Sequence, residues 1–305
     1  MIVETPQEDD DRPDAGPPAT TAEEAREDAA LEEHATPYAA LYAHWERNQW
    51  SPLEIDLSRD AATFAAMNRR DQDGFVWLFA NRFHAEFNVA RLLAPFLLAA
   101  PNWELQRLLA TQVADEHRHL TAVLRVYEEV FAVKGGIEAV RELAGQGLDP
   151  VSKTLLYDKL EEWTLPLLER QDEDTFLQAV VAYHLIGEGV IARTGQHLAA
   201  RQYERFAGFP GLSEGQRRVA RDESRHIGIG VSYLRTRMQA DPDHTRELIA
   251  ALAEQLFVLA GDMLATANAQ MSDLVISGYG VSPQEFYDEA LRLTQIRLKS
   301  IGFGD

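Results

Sequence analysis

A Glu followed three residues later by a His occurs twice, in Asp115-Glu116-His117-Arg118-His119 and in Arg221-Asp222-Glu223-Ser224-Arg225-His226. On a helix, positions i and i+3 share a face, so each pair offers a carboxylate and an imidazole to a single metal ion. One such pair arises by chance on surface helices, but here each has a further carboxylate upstream. These are Glu86, in the stretch Arg82 to Ala90, and Glu188, in the stretch His184 to Ala192. Two pairs point to two ions.

The neighbours of these residues are apolar. Val113, Leu120 and Val123 share the helical face of Glu116, and Leu185, Ile191 and Ala192 share that of Glu188. A carboxylate on a core-facing stripe is costly unless it is paired or bound to metal. Glu86, Glu116, His119, Glu188, Glu223 and His226 are therefore the candidate ligands of a dinuclear site. A Glu from each of two helices plus Glu-x-x-His from two others resembles the ligand set of ferritin-like carboxylate proteins. That resemblance implies an all-α, ferritin-like four-helix bundle core with additional flanking helices.

The rest of the chain agrees with an all-helical reading, because strand signals are scarce and stretches rich in Ala, Leu, Glu and Arg recur. Residues 1–35 hold twelve Asp or Glu against two Arg, which accounts for half of the net charge of −20. That segment is Pro-rich and poor in large apolar residues, so it is expected to be a disordered acidic tail before one domain spanning residues 36–305. The remaining negative charge argues against a nucleic-acid partner, which needs clustered Lys and Arg. Without cysteine there is no thiolate ligation, which leaves carboxylate and imidazole to hold any metal. No apolar signal segment is evident. Leu92 to Ala100 is too short to span a membrane, and Ile249 to Ala267 is interrupted by Glu254 and Asp262, so the expected setting is the cytoplasm with no membrane partner.

Tyr38 to Trp50 reads as a short amphipathic helix, followed by an extended connection through Pro52, after which Ser58 or Asp60 is placed to cap a helix. Core helices are expected at about Asp73–Ala99, Trp103–Val133, Thr175–Phe206 and Ser213–Met238, with a linking helix Leu155–Arg170 that Pro166 would kink. Glu86 and Glu116 stand equally far from Pro101, so an antiparallel hairpin brings them to one level. Glu188 and Glu223 are not symmetric about Pro210; either a helix is distorted or the turn is offset. Residues 241–277 and 283–299 read as two further helices, with Gly278 and Gly280 between them, that cover the bundle or a homodimer interface.

Several other residues carry two readings. His184 faces the same way as Glu188 and is a hydrogen-bonded core histidine or an extra ligand; His117 should point away from the site. Gly195, Gly228 and Gly230 mark close helix packing or room for a bound organic molecule. Asp222 orients a metal-bound histidine or belongs to a surface charge cluster.

Residues 36–240 resemble the small, radical-generating subunit of ribonucleotide reductase. The likeness lies in Trp50-x-Pro52-x-Glu54-Ile55-Asp56-x-Ser58-Arg59-Asp60 and in Arg221-Asp222-Glu223-x-x-His226. It implies the same six ligands, and a hydrogen-bonded path through Trp50, Asp222 and His119 that delivers electrons to the metals from an electron donor. The family's radical-bearing tyrosine corresponds to Val123, and the chain ends at Gly302-Phe303-Gly304-Asp305 without the family's docking tail. The sequence Tyr183-His184-x-x-x-Glu188-Gly189-x-x-Ala192-x-Thr194-Gly195 is more similar to the reductase-like ligand-binding oxidases. Those proteins hold a Mn/Fe or Fe/Fe centre with a fatty acid at the metals and use O2 to join a tyrosine to a valine. Tyr183 matches the tyrosine and Asn88 stands where the valine would be, which leaves Tyr183 as a redox relay, a hydrogen-bond donor or a core residue. The expected function is thus an O2-activating dinuclear oxidase or oxygenase acting on an apolar, fatty-acid-like ligand. The alternatives are a radical-generating reductase subunit and a non-enzymatic protein that stores iron or binds lipid.

Overall fold

The structure is a computed structural model, and it describes residues 22–148, 150–197, 208–254 and 282–303. Among these residues there is no strand, and the chain is all-α as expected. The helices are α1 (Ala22–Glu33), α2 (Tyr38–Arg47), α3 (Ser58–Ala66), α4 (Arg69–Leu92), α5 (Ala94–Ala99), α6 (Trp103–Arg125), α7 (Gly136–Gly145), α8 (Pro150–Lys153), α9 (Leu160–Thr164), α10 (Glu173–Val180), α11 (Pro210–Ala240), α12 (242–254) and α13 (Pro283–Ser300). Among the described residues, three segments are π-helical: Val126–Val130 after α6, Thr154–Lys159 between α8 and α9, and Val181–Ala192, which continues α10.

Short polar side chains set the starts of the core helices. Asn68, Asn102 and Asp172 each accept a backbone N–H three residues on, satisfying a donor that the first turn leaves open. Asp60 does not cap the helix it sits in. It is fully buried and accepts the N–H groups of Gly211 and Leu212 at 3.0 and 2.7 Å, so it caps α11 from a distance. Gly135 and Gly136 turn the chain into α7 with φ of 113° and 69°, the left-handed region where glycine has no Cβ to strain. The first core helix breaks at Leu93, where Pro95 begins α5, instead of running through to Ala99. Pro166 likewise lies in a 3-10 turn, Leu165–Leu168, that ends the linking helix.

α4 packs on α6, α11 packs on the π-helical Val181–Ala192, and α6 meets α11 to close the bundle. Two apolar clusters fill it. One holds Leu92, Phe96, Leu109, Leu177, Tyr183 and Ile229; the other holds Phe79, Phe83, Leu120, Val123, Tyr127 and Leu212. Along α4, α6 and α11, the residues Glu86, Glu116 with His119, and Glu223 with His226 fall between these clusters. The polar centre therefore has apolar packing above and below.

The acidic stretch expected to be solvated up to residue 35 is helical from Ala22. α1 packs on α11, where Gly228 lets it approach: a Cβ there would lie 2.9 Å from the carbonyl oxygen of Leu31. Leu31 enters the core, and Glu32 is buried against Ser224, Arg193 and Arg297. Paired charges and one buried leucine order a segment whose composition alone would not. Residues 1–21 lie outside the described residues, as do the expected end of the third core helix (198–206), residues 255–277, and Gly278 with Gly280.

Gly230 answers the glycine question in the same way as Gly228, because a Cβ there would lie 2.4 Å from the Cβ of His184. Gly195 has open space around it. Gly230→Ala is expected to push the π-helical segment off α11 and to cost about 1–3 kcal/mol, the usual penalty of overpacking, read as a lower denaturant midpoint. An unchanged midpoint would show that the contact is loose. Glu173–His197 is apolar and long enough, by length and composition alone, to cross a membrane. It carries Glu188 and His184 into the bundle, and 67% of its most apolar window is buried there.

Candidate metal centre

All six candidate ligands lie in one buried cluster. Glu86, Glu116, His119 and Glu223 each place one ligand atom within 4.8 Å of the others, and so do Glu116, Glu188, Glu223 and His226. Glu116 and Glu223 belong to both groups. Each uses one oxygen per side: Glu116 Oε2 is 3.3 Å and Glu223 Oε1 3.6 Å from His119 Nδ1, while Glu116 Oε1 is 3.2 Å and Glu223 Oε2 3.3 Å from His226 Nδ1. Glu86 Oε2 completes the His119 side at 3.7 Å, and Glu188 Oε1 the His226 side, also at 3.7 Å.

The distorted helix resolves the asymmetry about Pro210. Val181–Ala192 is π-helical, and such stretches carry an extra residue in each turn and often occur at functional sites. The phase of Glu188 is reset so that it meets Glu223 despite its longer distance from the turn. Tyr183 and His184 shift with it. His184 faces Gln112 and donates through Nε2 to Oε1 at 3.0 Å, while Gln112 Nε2 donates to Glu188 Oε1 at 2.8 Å. His184 is thus a hydrogen-bonded core histidine that steadies Glu188 through Gln112. Burial, and then the nearby His226, push it down to about 3, so it is neutral. His117 is exposed.

Each site histidine is held from behind. Asp222 Oδ2 lies 3.1 Å from His119 Nε2 and accepts from Trp50 Nε1 at 2.8 Å, which joins the three residues that the resemblance placed on one path. His226 Nε2 lies 3.2 Å from Asp115 Oδ2, and Arg225 donates to the same oxygen at 2.5 Å. Asp115, Arg225, Gln112 and Trp45 were not singled out from the sequence. The available signal was that Asp115 stands directly before Glu116, as Asp222 stands before Glu223.

The protonation pattern shows how negative this space is. Burial alone would depress both site histidines. The carboxylates of Asp222, Glu116 and Glu86 instead hold His119 well above its usual range, and those of Asp115, Glu116 and Glu223 do the same for His226. Burial, reinforced by Glu223 and Glu116, pushes Glu188 well up despite the pull of His226. Tyr183 is raised by burial and by the Glu188 and Glu116 charges, so its phenol stays protonated and points at Glu116 Oε1, 3.5 Å away. Asn88 is fully buried; its amide donates to the His84 carbonyl and accepts from Arg91.

The cluster suits a pair of cations. His119 Nδ1, His226 Nδ1 and Glu188 Oε2 are buried without a hydrogen-bond partner. Both imidazoles have their outer nitrogens occupied by aspartates, so the inner nitrogens face carboxylate oxygens with only a proton or a metal able to mediate. Four carboxylates and two imidazoles are a donor set for iron, manganese or zinc.

A helical bundle presenting this set from α4, α6, α11 and the π-helical segment defines a ferritin-like protein of the dinuclear carboxylate type. Residues 35–263 match the family model of the ribonucleotide reductase small chain. The chain belongs to that family. Among solved structures, it is similar to variants of an R2-like ligand-binding oxidase with a reconstituted Mn/Fe cofactor. One, reconstituted anaerobically, superposes with a TM-score of 0.76 at 22% identity over 88% of this chain and 94% of its own. Another, reconstituted aerobically, gives 0.76 at 21% identity over the same shares. At these identities the likeness establishes the fold.

Proposed function

We propose that the protein binds two metal ions, Mn/Fe or Fe/Fe, and activates O2 to oxidise an apolar ligand. The observation that carries this reading is the pair of overlapping tetrads, in which Glu116 and Glu223 each aim one oxygen at either side and both inner imidazole nitrogens lack a partner. Glu86, His119 and the two shared carboxylates would hold one ion; Glu188, His226 and the same two would hold the other. Bound in this donor set, the ions would supply the redox chemistry that O2 activation requires. Four carboxylates against two divalent charges leave the pair neutral, which offsets the cost of placing it between two apolar clusters.

The remaining residues have separable tasks. Gln112 fixes the side chain of Glu188, and Asp222 and Asp115 fix the tautomer and orientation of the two histidines. Trp50, hydrogen-bonded to Asp222, is placed to pass electrons from a donor to the His119 side. Tyr183 keeps its proton and donates toward a bridging carboxylate. Asn88 carries an amide held by two other partners, so no tyrosine–valine link can join it to Tyr183.

A narrow cleft of about 40 Å³, too small as it stands for a long-chain ligand, is lined by Ile55, Leu57, Phe79, Val123, Leu212 and Val219, among others, and an apolar ligand entering here would have to widen it. Arg82, Val123 and Val219 on its wall each lie one helical turn from Glu86, His119 and Glu223. Val123 also occupies the position of the family's radical tyrosine, which favours an oxidase over a radical-generating subunit. The test is oxygen uptake by protein loaded anaerobically with Fe(II), alone or with Mn(II). The wild type is expected to consume O2 and Glu223→Ala none; equal uptake by the two would overturn the assignment.

A further inference from the structure

The outer contacts of the two histidines repeat. On one side His119 Nε2, Asp222 and Trp50 Nε1 are joined at 3.1 and 2.8 Å. On the other, His226 Nε2 lies 3.2 Å from Asp115 Oδ2, and Asp115 Oδ1 accepts from Trp45 Nε1 at 2.9 Å. A single guanidinium links the two arrangements, with Arg118 Nη1 lying 3.1 Å from Asp115 Oδ1 and 3.5 Å from Asp222 Oδ2. Asp115 is fully buried, and Arg225, itself buried, holds its other oxygen. Sinking a carboxylate this deeply is costly unless it is paired, and Asp115 is held at once by Arg225, Arg118 and the half-buried Trp45.

Beyond Trp45 the aromatic path continues to the surface. The Tyr42 ring is 5.9 Å from that of Trp45. The Arg107 guanidinium is 4.1 Å from the Tyr42 centroid and 4.9 Å from that of Trp103, and Trp103 is 62% exposed. In a chain without cysteine, tryptophan and tyrosine are the side chains most easily oxidised by one electron. Among the described residues, the Trp50 ring meets His119 and the guanidinium groups of Arg118 and Arg218, and no outward series of rings.

We infer that Trp45, Asp115 and His226 form a second electron route, separate from Trp50, that carries oxidising equivalents from the centre past Tyr42 to Trp103 at the surface. The inference rests on the dinuclear reading above. In each passage the Trp45 indole loses one electron, which travels through Asp115 and His226 to reduce the metal pair that O2 has oxidised. The Nε1 proton stays in its hydrogen bond to Asp115. Trp45 regains its electron from the rings outside it, and a one-electron donor protein restores Trp103. When no donor is present, two successive passages remove two electrons from the Trp103 indole, water adds to the ring and two protons leave to solvent, which traps the residue as an oxygenated indole.

The test uses full-length protein loaded anaerobically with Fe(II) and exposed to O2 without a reductant. Peptides are mapped by mass spectrometry, and radicals are followed by freeze-quench electron paramagnetic resonance. The wild type is expected to accumulate oxygenated Trp103. Trp45→Phe should lose that product and its share of the tryptophan radical signal, with the iron count unchanged, while Trp50→Phe keeps both. Trp103→Phe alters only an exposed ring, so folding is not at issue, and it should shift oxygenation inward to Tyr42 and Trp45. The inference is overturned by equal Trp103 oxygenation in Trp45→Phe and wild type, by its loss in Trp50→Phe alone, or by no inward shift in Trp103→Phe. A wild type that consumes O2 without oxygenating any of the three rings overturns the route and leaves the dinuclear reading standing; one that consumes no O2 overturns both.

Discussion

Alanine at Glu116 is expected to give a folded protein that retains neither metal ion. Glu116 faces both imidazole nitrogens, so its removal takes a bridging ligand from both sides at once. Three carboxylates then remain against two histidines, and burial already pushes one of them, Glu188, toward its neutral form. The metal-free variant therefore has no large charge imbalance to unfold it. The difference should appear on adding metal, because an ion that binds only the folded state stabilises it by about 4 kcal/mol when its free concentration exceeds the dissociation constant about a thousandfold. Differential scanning calorimetry with and without Mn(II) or Fe(II) under anaerobic conditions checks this. The wild-type midpoint should rise with metal and that of Glu116→Ala should stay put; an equal rise in both would remove Glu116 from the site.

The second large effect is expected far from the metals, at Glu32. Its carboxylate meets Arg193 at 2.5 Å, accepts from Ser224 at 2.8 Å and pairs with Arg297, whose side chain is 1% exposed and also donates to the Gly189 carbonyl at 3.0 Å. This knot ties α1, α11, α13 and the π-helical segment together, one residue from Glu188. Glu32→Ala leaves Arg297 buried without its counter-charge, a loss of about 3–5 kcal/mol in comparable buried pairs. Burial pushes the Glu32 carboxyl up, but Arg193, Arg297 and Ser224 more than offset it and leave it below its ordinary range. A depressed carboxylate contributes stability above its unfolded pKa and loses it as the pH falls through the folded value. Urea unfolding should therefore show the wild type and Glu32→Ala far apart at neutral pH and converging in acid, below the usual carboxylate range. A constant gap across that range would mean the residue acts through packing and not through charge.

What the sequence disclosed, and what it hid, follows from how far each feature reaches along the chain. Glu86 and Glu116 are brought together by one hairpin, and counting from Pro101 was enough to level them. The Glu-x-x-His pairs are local to single helices, so their faces could be read directly. Glu188 depends on a π-helical segment, whose extra residue per turn leaves no simple periodic trace; only the uneven spacing about Pro210 hinted at it. α1 was read as solvated because its composition is acidic, yet Glu32 is satisfied by Arg193 and Arg297, which lie far away in sequence. Trp45 and Asp115 are likewise separated by 70 positions, and no local pattern announces their contact. Gly228 and Gly230 could be flagged as unusual, but only the backbone of Leu31 and the side chain of His184 lying against them show why they are glycine.

Anomalous diffraction at the iron and manganese edges, on crystals of protein loaded with both metals, tests the central claim most directly. Two peaks per chain should lie between Glu116 and Glu223, one beside His119 and Glu86 and the other beside His226 and Glu188. A single peak, none, or peaks on the exposed acidic surface would contradict it.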